Sequence, residues 1–320
     1  MQTLSLSLGP LRIPLWIPVT IFAALMQALR TGLQARLKGT LRAEVVSFAR
    51  FLYALPLESL AFLILLAHFG GGLFGRSPWE FWFFCLTGGV TQIFGTLFLV
   101  RSFHHRGLVA GTAYAKTEAA QLVLLTTVFL GASLAPLAIV GIFLALVGVL
   151  ILGGKGWQFL EREFWLGLRE PAAGYGLAAA LGFALTAITL RAASQELDPG
   201  LSPLVVGLWI LLVTNFMQSI LQGFYLFLQQ PQQLWESFLG WRQAWPVGVL
   251  SALGSWAWFS GFALTQVALV RGLGQVDTLL VFLLGHHLLK ERLGKTEITA
   301  TLLIVLGALC IILPDLHWQA

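Results

Sequence analysis

Long apolar stretches alternate with short polar breaks along the whole chain. Ten stretches reach the roughly 17–25 residues that an α-helix needs to cross a ~30 Å hydrocarbon layer. They lie at about 14–36, 44–68, 80–104, 107–131, 135–153, 172–194, 202–228, 244–268, 272–290 and 296–313. Between them stand "KGT", "FGGGLFGRSP", "HHRG", "GAS", "GGKG", "LDPGLSP", "QQPQQ", "VRG" and "KERLGK", rich in the Gly, Pro and charge that end helices. Trp16, Trp79, Trp82, Trp157, Trp241, Trp245 and Trp318 fall near stretch ends, where an interfacial aromatic belt would place them.

Polar positions inside the stretches are patterned. Thr20, Gln27, Arg30 and Gln34 are spaced to share one face of the first helix, and Ser47, Arg50, Ala54 and Glu58 one face of the second. Asn215, Gln218 and Gln222 repeat this on the seventh, while Gly254, Ser255 and Trp258 give the eighth a small-residue face with one large aromatic.

Composition fixes the class. Of 320 residues, 58% are hydrophobic and 10% charged, against about 25% charged in soluble domains. The expected fold is an all-α membrane protein. The net charge of +5 does not imply a nucleic-acid partner, because the basic residues sit singly or in small groups between apolar runs. Cys85 and Cys310 fall within apolar helices and read as packing residues. The first stretch holds Arg30 and lacks a small-residue cleavage site, so it reads as a retained helix.

Displacing the sequence on itself by 159 residues brings Gly148 onto Gly307, loop onto loop, and Glu118 onto Asp277. Two copies of five helices each must face opposite ways across a membrane. Inverted repeats bind substrate at their interface near the midplane. The implied organisation is an N-terminal segment (1–13), a first repeat (14–155), a connecting loop (156–171) and a second repeat (172–314), all in one membrane domain.

The stretch "GQVDTLLVFLLGHHLLKERLGKTEITATLLIVLGALCII" (274–312) resembles the end of the second repeat of EamA-like drug/metabolite transporters. In that family a polar or acidic residue early in the ninth helix precedes a charged turn and a glycine-marked last helix. "FARFLYALP" (48–56) is similar to the family's second helix. In the first repeat "GAS" replaces the charged turn, and Ala119 stands where proline is common. The resemblance covers most of the chain in helix order. It implies a ten-helix carrier of small metabolites, often an exporter, with a central cavity. It also implies a multi-pass protein of the bacterial cytoplasmic membrane with both termini inside. Lys and Arg counts disagree: one side carries twelve and the other only Arg12, Arg76, Arg191 and Arg271, which puts the termini outside. Orientation stays open.

Six ionisable residues lie inside the stretches: Arg30, Arg50, Glu58, Lys116, Glu118 and Asp277. A charge at the bilayer centre costs about 2.5–3.5 kcal/mol on insertion scales, so each needs a partner or water. Lys116 and Glu118, two residues apart, point to nearly opposite sides and must pair elsewhere. Glu58 is either a counterion for Arg50 or a cap on a neighbouring helix. Glu118 and Asp277 are the candidates for proton coupling or for holding a substrate ammonium. Lys116, Arg50 and Arg30 would hold a carboxylate or phosphate. Gln27, Asn215, Tyr53, Tyr114 and Trp258 complete the candidate set as polar or aromatic walls.

The pairs His104–His105 and His286–His287 do not form a metal site, since adjacent helical residues diverge by about 100°. No Walker motif or nucleophile–base arrangement is present, so neither an enzyme nor a bound cofactor is expected. The function expected is a secondary carrier for a small polar metabolite such as an amino acid, proton-coupled or facilitative, as a monomer or homodimer in the lipid bilayer. The alternatives are a non-transporting scaffold or sensor, and a flippase for a lipid-linked substrate.

Overall fold

A computed structural model describes residues 5–8, 11–37, 48, 50–69, 77–153, 171–289 and 295–318. The helices are α1 (Trp16–Leu37), α2 (Leu55–Phe69), α3 (Trp79–Ala115), α4 (Glu118–Leu130), α5 (Pro136–Gly153) and α6 (Pro171–Gln195). They continue with α7 (Pro203–Gln229), α8 (Pro231–Leu239), α9 (Trp241–Leu264), α10 (Val267–Leu273), α11 (Val276–Leu289) and α12 (Lys295–Ile312). Four begin on proline, at 136, 171, 203 and 231. Proline suits that place because its missing N–H is unneeded in the first turn and its φ is already helical. α4 ends in a left-handed Gly131 at φ 61 within the expected "GAS" break, a conformation in which a Cβ would clash.

Among the described residues, seven helices are long and apolar enough to cross a membrane, and Glu118–Leu130 and Pro136–Leu152 are shorter apolar ones. Large apolar side chains such as Phe129, Leu63, Ile64 and Phe224 point outward, at 60–73% exposed. That surface suits lipid and not water. The protein is an all-α membrane protein, and its helices carry it across the bilayer more than once.

Three boundaries differ from the sequence expectation. "HHRG" does not break a helix: α3 runs on through it to Ala115, and the break falls at Lys116–Thr117. The one glycine of that break costs only about 1 kcal/mol, too little to end the helix there. "QQPQQ" is not simply a loop, because Pro231 starts the short helix α8. The expected spans 244–268 and 272–290 are redivided: α9 stops at Leu264, and α10 and α11 meet at Gly274–Gln275. The connecting loop, apart from Pro171, and Trp157 lie outside the described residues.

The N-terminal segment adds an element that periodicity did not announce. Strands β1 (Ser5–Leu8) and β2 (Leu11–Pro14) form a hairpin, and β3 (His317–Trp318) pairs antiparallel with β2, Leu11 opposite Trp318. The Trp16 indole N–H donates to Asp315 Oδ2 at 3.1 Å beside it.

The chain divides into two compact units. One comprises residues 1–24, 91–186 and 264–320; the other comprises 25–90 and 187–263. In the first unit α5 and α12 pack antiparallel at backbone contact. A Cβ on Gly141 would meet the Gly307 carbonyl oxygen at 2.6 Å, and one on Gly148 would meet that of Ala300 at 2.8 Å. Only glycine allows that approach. The second unit is built around Trp209, stacked on Phe62 at 4.8 Å and on Phe81 at 6.1 Å, with Trp82 edge-on at 5.9 Å. α7 and α9 close on Gly207, where a Cβ would meet the Ser260 nitrogen at 2.6 Å.

Candidate functional site

The break between α3 and α4 turns the chain at Lys116–Thr117, and the break between α10 and α11 turns it at Gly274–Gln275. Each is followed at once by an acid: Glu118 is the first residue of α4 and Asp277 the second of α11. Helix N-termini present unpaired N–H groups and a positive dipole end, so carboxylates are favoured there.

These acids lie in the first compact unit, and each is met by a cation from the other break. Lys116 Nζ donates to Asp277 Oδ1 at 2.5 Å, and the Thr278 hydroxyl donates to the same oxygen at 3.0 Å. Arg271 Nε sits 3.0 Å from Glu118 Oε1. The N–H does not point along that contact, so we describe it as an ion pair and not as a linear hydrogen bond. Side-chain exposures are 21% and 6% for the first pair and 14% each for the second. Lys116 and Glu118 thus find separate partners, as their spacing requires. Gln275 occupies the turn beside Asp277, buried at 3% exposed, with neither amide atom hydrogen-bonded.

Tyr114 is also buried here, against Gly176, where a Cβ would come within 2.4 Å of its own Cβ. Thr117 donates back to the Tyr114 carbonyl at 2.7 Å, and the Gln121 amide reaches both Thr117 Oγ1 and the Leu177 carbonyl at 3.3 Å. These bonds hold the turn that carries Lys116.

The remaining candidates belong to the second unit. The Trp258 indole donates to Gln27 Oε1 at 3.1 Å. Tyr53 donates its hydroxyl to the Ser237 carbonyl at 2.7 Å, its backbone packed on Gly248. Arg30 is buried, and Arg50 is half-buried with its guanidinium 5.2 Å from the Phe51 ring centre. Asn215 donates to Glu58 Oε1 at 2.6 Å, both side chains buried. Glu58 therefore rests on an amide, not on Arg50. Thr20, of the first unit, bonds its own helix at the Trp16 carbonyl. The side chains of Gln34, Ser47 and both histidine pairs lie outside the described residues. Among those described, no three His, Cys, Asp or Glu gather as metal ligands.

Arg271 is the participant that sequence reasoning missed. It is the arginine of "VRG", and a basic residue in a break reads as a loop charge. The overlooked signal was "RGLGQVD", a cation shortly ahead of an acid across a glycine, which parallels "KTE" at 116–118.

Residues 171–313 match the EamA-like transporter family. No curated protein matches the chain. A crystal structure of a protein 17% identical superposes with a TM-score of 0.68, covering 93% of this chain and 98% of its own. At that identity the likeness speaks for the fold alone.

Proposed function

Starting from an EamA-like transporter domain at residues 171–313, we propose that the protein is a membrane transporter: a secondary carrier that moves a small polar metabolite by alternating access. The observation that carries this is the reciprocal pairing of the two helix breaks, Lys116 to Asp277 and Arg271 to Glu118. Discontinuous helices whose ends meet near the midplane are how repeat-built carriers form substrate sites. Two acids and two cations side by side suit a zwitterion such as an amino acid. Its ammonium can replace Lys116 at Asp277 or Arg271 at Glu118, and its carboxylate can take the cation so released. Binding would exchange internal ion pairs for external ones, with no bare charge at any stage.

The register of α5 on α12 supports the two-repeat organisation. The contact Gly141–Gly307, displaced by 159 in both directions, becomes Ala300–Gly148, which is the second contact observed. A pseudo-two-fold axis would do this. With that axis we read the carrier as ten spans in two inverted repeats, and its place in a bacterial cytoplasmic membrane rests on the family likeness alone.

One observation favours a second possibility, a non-transporting scaffold: both acids are already paired. Proteoliposomes separate the two. We expect flux of labelled amino acids in the wild type, lowered about tenfold or more by Lys116→Gln combined with Asp277→Asn. That double change keeps the pair neutral and spares the fold. Unaltered flux in the double variant would make this pair structural. A folded wild type that moves no solute in a broad panel would favour the scaffold.

A further inference from the structure

Glu58 differs from Glu118 and Asp277. It is 1% exposed, lies within the candidate span Arg50–Ala67, and takes its hydrogen bond from the neutral Asn215 amide at 2.6 Å. Its Oε2 is buried and has no hydrogen-bond partner. Among the described residues the ion pairs are Lys116–Asp277 and Arg271–Glu118, and neither includes Glu58. Among the described residues, the elements packed against it supply little charge. α7, packed against α2, carries Tyr225 but no acid or base. α3, reached through the Phe62–Trp209–Phe81 stack, brings the buried Cys85 and, at its start, Glu80. Upstream of Glu58 on its own segment, Arg50 lies over Phe51. A carboxylate buried without a cation loses its hydration and gains one amide bond, which does not compensate. A carboxylic acid in the same place needs no cation, and Oε2 then bears the proton.

We propose that Glu58 and Asn215 form a proton-binding site, with Asn215 fixing Oε1 and the proton held on Oε2. The proposal depends on α2 lying in the membrane. It deepens the carrier reading by assigning the coupling proton to Glu58 and not to Glu118 or Asp277, which are held by cations. Protonation and release at Glu58 would leave those ion pairs free to act on the substrate.

The test is infrared spectroscopy of the whole protein in lipid nanodiscs at neutral pH, where exposed acids are ionised and do not absorb as carboxylic acids. We expect one protonated-carboxyl carbonyl band, lost in Glu58→Gln and retained in Glu118→Gln and in Asp277→Asn. Asn215→Ala should shift the band without removing it. No band in the wild type, or a band that survives Glu58→Gln or ignores Asn215→Ala, would overturn the site. In proteoliposomes Glu58→Gln should drop gradient-driven flux to the gradient-free rate, and a gradient response that persists would refute the coupling role. If the band is assigned to Glu58 but the wild type carries nothing, the carrier reading fails and the proton site stands.

Discussion

At the scale of single residues, the fold decides which buried charges depend on which. Removing one partner of a buried pair strands the other, at a typical cost of about 3–5 kcal/mol. Lys116 keeps 21% exposure, so Lys116→Met should fall at the lower end, about 3 kcal/mol. Adding Asp277→Leu should recover much of that, because no charge then remains unpaired. Thermal unfolding of the two variants in detergent, compared as a double-mutant cycle, checks this. If the single variant is as stable as the wild type, the pair contributes nothing to the fold. The charges themselves were legible from sequence: Glu118 and Asp277 coincide at the 159-residue displacement, and the spacing of Lys116 and Glu118 forbade their pairing. Their partners were not legible. Whether Arg271 is a loop or a helix residue depends on where α9 ends, and single-sequence periodicity does not fix such boundaries.

At the scale of elements, glycine separates contacts that hold the fold from positions that merely tolerate it. Gly141→Ala pushes a Cβ against the backbone of α12. It should destabilise by about 1–3 kcal/mol, the usual cost of overpacking. Gly32, in α1, has nothing within 4 Å of a built Cβ. Gly32→Ala should therefore be neutral or raise stability by about 0.5–1 kcal/mol, because alanine is the better helix former. Thermal unfolding of the two side by side tests the α5–α12 interface, and equal stabilities would contradict it. Apolar stretches announced most helices well, since length and hydrophobicity alone define a span. Breaks were harder. "HHRG" has breaker composition and stays helical, whereas "AKTE" lacks glycine and proline and yet breaks. There the compensation is partly local and partly tertiary: Thr117 satisfies the Tyr114 carbonyl, Gln121 reaches the Leu177 carbonyl of α6, and the carboxylate of Glu118 answers the new helix end.

At the scale of the whole molecule, the pairing of β2 with β3 puts residues 11–12 beside residues 317–318. Residues 11–12 and 317–318 must then lie on the same membrane face. Reporter tags at the two termini should be reached by the same membrane-impermeant reagent, whichever side that is. Labelling from opposite sides would rule the pairing out. Charge counting puts both ends outside and the family resemblance puts both inside, so the two disagree on the side but each puts the ends together. No hydropathy pattern predicts the strands themselves, because "SLSL" and "LRIP" are too short to carry a period.

That sheet also sets an order in time. β2 is synthesised ahead of the described helices, and His317–Trp318 after them. Until they arrive, the outer edge of β2 offers unpaired N–H and C=O groups to any extended chain nearby. The third strand is thus a closing step that comes after every described helix has been made. A ribosome that stalls short of it leaves behind a hairpin still open to a stranger.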